Sequence, residues 1–130
     1  MRLAPIAAVL ALLTPLAAQA ASPDVSGVWR VRAHAEVDGQ TVAEARPDCV
    51  FHQEGSRLTG ACKGPKSEGP ITGTVDGAHV AWDWQAKAFA EGGATGLVSF
   101  KGDIGADGVM RGSWTGSVLP GLVGAFTGER

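Results

Sequence analysis

The sequence predicts an all-β fold, an eight-stranded antiparallel up-and-down β-barrel, and three observations lead to it. A bulky apolar residue, a spacer and a glycine recur as Leu58-Thr59-Gly60, Ile71-Thr72-Gly73, Phe100-Lys101-Gly102, Met110-Arg111-Gly112 and Phe126-Thr127-Gly128. Residues two apart in a strand share a face. Each copy therefore sets a large side chain beside a glycine, which suits a sheet that bends repeatedly. Turn signals separate short stretches of alternating hydrophobicity, and no stretch has the period of an amphipathic helix. Closing such a meander removes the edge strands of a small protein.

The first strand is expected over Ser26 to Glu36, where Trp29, Val31 and Ala33 alternate with Arg30, Arg32 and His34. Asp38-Gly39 turns the chain. The second strand covers Thr41 to Gln53 and bends at Pro47, which has no N–H to give to a ladder. Gly55-Ser56 then centres a two-residue turn, with Leu58 to Cys62 as the returning strand. That centring sets Phe51 against Gly60 and Cys49 against Cys62, close enough for a disulfide. The bridge is structural in this reading and stabilises the fold by roughly 3 kcal/mol.

Lys63 to Gly69 reads as a loop. Asp76-Gly77 is taken as the next turn, which sets Ile71 against Trp82 and Gly73 against Val80. Ala86 to Gly96 is a glycine-rich connection carrying Phe89. Leu97 to Ile104 and Val109 to Thr115 form a hairpin, and Leu122 to Glu129 is the last strand after the Pro120-Gly121 turn.

Residues 1–20 stand apart from this pattern. Arg2, the apolar run from Ile6 to Leu16 and the small-residue site Ala18-Gln19-Ala20 read as a signal peptide. The expected products are a single barrel domain over 21–130 and a secreted or periplasmic location. No run is long enough for a membrane span. Loss of Arg2 moves the formal charge of −2 to −3, which favours neither nucleic acid nor an anionic membrane.

The expected interior gathers Trp29, Val31, Phe51, Leu58, Ile71, Val75, Val80, Trp82, Val98, Phe100, Met110, Trp114 and Phe126. An eight-stranded barrel is either filled by such side chains or holds one small ligand. Trp82 and Trp114 are the candidate stacking residues for a ligand, with Phe51, Phe100 and Met110 lining it and Phe89 gating it. His34, His52 and His79 fall on the outward parity and lack metal-ligand spacing, so no metal or other cofactor is expected. Asp83 and Glu91 form the one conceivable carboxylate pair. With no nucleophile motif or phosphate loop, the expectation is a protein that is not an enzyme.

The chain resembles the avidin and streptavidin family of small, lipocalin-type, calycin-like barrels. Ser26-Gly27-Val28-Trp29 is similar to that family's opening strand, and Arg57-Leu58-Thr59-Gly60 and Ile71-Thr72-Gly73-Thr74 to its Leu-Thr-Gly strands. Val80-Ala81-Trp82, Met110 to Trp114 and Leu122 to Thr127 follow in the same order. The resemblance implies an eight-stranded barrel with Trp82 and Trp114 where the family's ring-stacking tryptophans lie. The family's biotin-holding polar residues are not matched: the chain has no tyrosine, and Gly124-Ala125 stands where an aspartate is expected. A second resemblance is to small periplasmic inhibitors of bacterial metalloproteases, for which Ala21-Ser22-Pro23-Asp24 would be the working segment. The sequence therefore points to an exported binding module for a small apolar or aromatic ligand. The alternatives are a protein-binding barrel, such as a protease inhibitor, and a structural envelope protein with a filled core.

Overall fold

The structure is a computed structural model that describes residues 24–87, 96–117 and 120–130. The signal peptide read at 1–20, and with it the working segment up to Pro23, lies outside these residues, as do Phe89 and Glu91. The described strands are β1 (Gly27–Val37), β2 (Gln40–Ala45), β3 (Asp48–Glu54), β4 (Arg57–Lys63), β5 (Glu68–Asp76), β6 (His79–Ala86), β7 (Gly96–Ile104), β8 (Met110–Gly116) and β9 (Val123–Glu129). Neighbours in sequence are antiparallel neighbours in the sheet from β3 to β9, and β9 returns to pair with β1.

Nine segments make an eight-stranded barrel because β2 and β3 are one strand interrupted at Pro47. β1 pairs with β3 through Gly27 to Arg30 and with β2 through Ala33 to Val37, in one register up to a shift after Ala35. The Val31 N–H donates to the Pro47 carbonyl at 2.9 Å, which carries the β1 ladder across the break. Proline spoils only the edge that needs its missing N–H.

The turns explain the registers. Asp38 and Gly39 both have positive φ (53° and 78°), the conformation of a tight hairpin turn. Gly55 begins the β3–β4 turn at φ 60°, and Cys49 faces Cys62 and Phe51 faces Gly60, as the spacing predicts. The disulfide joins strands whose Cα atoms are 4.0 Å apart, and both sulfurs lie inside the barrel.

The β5–β6 hairpin differs from its expected pairing. Gly77, at φ 58°, takes the first turn position with Ala78 second, so Asp76 joins the ladder opposite His79. Gly73 consequently faces Trp82, and Ile71 faces Trp84. Glycine leads this turn as it leads Gly55-Ser56. The change moves each pairing by two residues, so every side chain keeps its face.

That register builds the core. One inward row runs Leu58, Gly73, Trp82, Phe100, Trp114, Gly124 across β4 to β9. Large rings occupy its middle and glycines flank them. Outward positions carry the polar residues, and the described residues contain no buried polar or charged side chain.

The β7–β8 connection is closed by charge. The Asp107 carboxylate accepts hydrogen bonds from the Arg111 guanidinium at 2.9 and 3.3 Å and from the Val109 N–H at 3.1 Å. Arg111 first, then Val109, hold the Asp107 pKa down from 3.8 to about 2. A depressed carboxylate pKa contributes stability above pH 3.8, and that contribution fades as the pH falls toward 2. Carboxyl NMR titration should therefore find the Asp107 midpoint near 2, and Arg111→Gln should return it toward 3.8. An unmoved midpoint in the variant would place the cause elsewhere.

Candidate functional site

Three of the six sequence-derived ligand residues come together, against one another. The Trp82 ring stacks on Phe100 at 4.6 Å and 10°. Phe51 meets the Trp82 ring edge-on at 5.0 Å, as does Phe126 at 5.4 Å. Phe100 and Phe126 close the cluster at 5.2 Å. All four rings are buried. Trp114 adjoins Phe100 on the next strand, and its Nε1–H donates to the His34 carbonyl at 3.1 Å. Met110 lies lower, opposite Ile104 and Gly128, apart from the stacked pair.

The glycine repeat has three different origins within this packing. A Cβ at Gly60, Gly73 or Gly112 would overlap a backbone carbonyl of the next strand: Val50, Ala81 and Lys101 respectively. At Gly102 it would come within 2.8 Å of the Phe126 ring, and at Gly128 it would make an ordinary contact with Met110 at 3.4 Å. The first three glycines let backbones approach, and Gly102 makes room for a ring. Among the described residues, then, the space beside these glycines is occupied by neighbouring backbone and side chains.

The open space is at the other end of the interior, where β2 outlasts its neighbour. β4 ends at Lys63 opposite Asp48, and the chain turns through 64–67, with the Gly64 N–H donating to the Ser67 carbonyl at 2.7 Å. Among the described residues β2 pairs only with β1, so its other edge faces that loop across a gap. The gap is a cavity of about 350 Å³ lined by Ala43, Glu44, Ala45, Arg46, Gly64, Pro65, Lys66, Ser67 and Trp84. It forms a window in the barrel wall.

Small side chains shape the window. Ala33 faces Ala45 and Ala35 faces Ala43, so the inner surface of the β1–β2 hairpin is four methyl groups. Ala43 and Ala45 are partly buried and pack on the core. Trp84 lies behind them, itself fully buried. The outer lip is charged: Arg46 and Lys66 are exposed, and among the described residues neither makes an ion pair.

The sequence reading missed this place because it arises from unequal strand lengths. The available signals were the alanine alternation of the first hairpin and Pro47 beside a Gly-Pro loop. A larger concavity of about 490 Å³ lies on the outer wall over Ala81, ringed by Arg57, Thr59, Thr72, Thr74, Asp83, Ser99 and Lys101. There Asp83 accepts a hydrogen bond from the Ser99 hydroxyl at 2.7 Å.

The histidines are exposed, as their parity predicts. His52 contacts Glu54 at 3.2 Å, and His79 contacts Asp103. Among the described residues no group of three or more His, Cys, Asp or Glu side chains could hold a metal ion. No helix of the described residues is long and apolar enough to cross a membrane. The closed eight-stranded antiparallel barrel is compatible with a calycin-like fold. No family model matches the chain, and no curated protein matches it in sequence.

Proposed function

We propose that this chain is an exported, non-enzymatic binding module that takes a small apolar or aromatic ligand at the window between β2 and the 64–67 loop. One observation carries the reading: a cavity of about 350 Å³ lined by Ala43, Ala45 and the buried Trp84 on one side and by the 64–67 loop on the other. Small-ligand sites are typically apolar clefts of roughly 300–1,000 Å³. Seating a ligand in the centre would instead require parting Trp82 from Phe100 and losing that stacking. Phe51, Trp82 and Phe100 then act as the packed core of the module, apart from the window. The disulfide supports the export part of the reading, since such bonds persist in oxidising compartments.

The test is titration of the chain with N-phenyl-1-naphthylamine, an uncharged fluorescent probe. Saturable enhancement is expected, abolished by Ala45→Trp, which fills the window, and retained by Trp82→Phe. Absence of enhancement, or enhancement indifferent to Ala45→Trp, would remove the window as the site.

A second reading, a barrel that binds another protein, has its own observation. Val28 and Val50, 56% and 53% exposed, stand side by side on the outer wall. The same outward row continues through Ala61 and Pro70.

A further inference from the structure

We infer that the ligand of the window is an amphipathic carboxylate, its apolar body inside the wall and its anionic group held at the lip by Arg46 and Lys66. The inference rests on the window reading above and adds the charge of the ligand. The window is a two-sided site. Inward it offers Ala43, Ala45 and Trp84, and the described residues hold no buried charge to match a polar group. Outward it offers two cationic ends free of ion pairs among the described residues. Glu44, the one acidic residue in its lining, belongs to the outward row of β2 and stands opposite His34 across the ladder.

A second observation points the same way. The register that sets Ala33 against Ala45 and Arg30 against Asp48 also sets Arg32 against Arg46. Directly opposed like charges on neighbouring strands are destabilising. Arg30 has carboxylates opposite it on both sides, Asp48 and Glu129, whereas Arg32 has Arg46 and Thr127. Arg32 turns one Nη1–H to the Val31 carbonyl at 2.8 Å, and no described carboxylate lies within ion-pair distance of either arginine. An anion beside Arg46 relieves that repulsion, and the chain's net negative charge makes this local positive excess the exception on its surface. The guanidinium of Arg46 suits a carboxylate, which accepts two parallel hydrogen bonds from it.

The experiment compares 2-naphthoate with 2-naphthalenemethanol, of equal ring size and no charge, by calorimetry on the folded, disulfide-bonded chain. Naphthoate should bind at least ten-fold more tightly, and added salt should narrow the difference. Arg46→Gln and Lys66→Gln should each weaken naphthoate several-fold and leave the alcohol unchanged, with Arg46→Lys keeping part of the preference. Both side chains are exposed, so the variants should keep the wild-type circular dichroism. If the alcohol binds at the window as tightly as the acid, the anionic ligand is wrong and the window reading survives. If neither compound binds, both fall. Equal weakening of acid and alcohol in the variants would mean that the cations act on shape, and would overturn the proposal.

Discussion

Trp82→Ala is expected to cost about 3–5 kcal/mol of folding stability, measured as a fall in the chemical denaturation midpoint at unchanged slope. The ring is buried and meets three others: Phe100 by stacking, Phe51 and Phe126 edge-on. Its removal leaves a hole that its neighbours cannot close, because their strands are fixed by the closed ladder. Trp82→Phe should cost much less, under about 2 kcal/mol, for a specific reason. The Trp82 Nε1–H is buried with no hydrogen-bond partner among the described residues, so phenylalanine gives up volume but also a donor that those residues leave unsatisfied. Trp114→Phe offers the contrast, since it forfeits the bond to the His34 carbonyl. A loss below about 1 kcal/mol in Trp82→Ala would mean that the centre is loosely packed, and would return it to consideration as a ligand cavity.

The barrel was legible in the sequence because its determinants are local. Turn glycines separate most of the hairpins, alternation sets each face, and the Gly55-Ser56 turn alone sets Cys49 directly opposite Cys62. The β5–β6 pairing shows the limit of that reasoning. Asp76-Gly77 and Gly77-Ala78 are both credible turns, and parity cannot choose between them because both leave the same residues inside. The choice nevertheless decides whether Gly73 faces Val80 or Trp82, and hence whether the largest ring has room. The candidate site was less legible still. Trp82, Phe51 and Phe100 were rightly placed inside, but whether inward rings enclose a void depends on how four strands apart in sequence fill one volume. The window depends on β4 ending at Lys63 while β2 runs on, which no single segment records. Arg46 against Arg32 is visible only once β1 and β2 are in register.

The second large effect belongs to the glycine repeat, which looks uniform in sequence and should behave unevenly. Gly60→Ala is expected to cost about 2–6 kcal/mol, from backbone strain of about 1–3 and steric displacement of about 1–3. Gly60 has φ 141°, a conformation that side-chain-bearing residues rarely adopt, and its missing Cβ is replaced by the Val50 carbonyl. A carbonyl held in the β3–β4 ladder cannot move aside without breaking pairs next to the disulfide. Gly128→Ala should cost under about 1 kcal/mol, because its Cβ would make only ordinary contacts, with the Met110 Cβ at 3.4 Å and the Trp29 ring at 3.5 Å. Gly102→Ala should fall between them, since the Phe126 ring at 2.8 Å can tilt but only by disturbing Trp82 and Phe100. Denaturation of the three variants reads the order directly. Equal losses would mean that the glycines serve the flexibility of the strands. The graded order would mean that each marks a particular neighbourhood, overlapping backbone at Gly60, a crowding ring at Gly102 and ordinary side-chain packing at Gly128, so that one repeated motif encodes three kinds of contact.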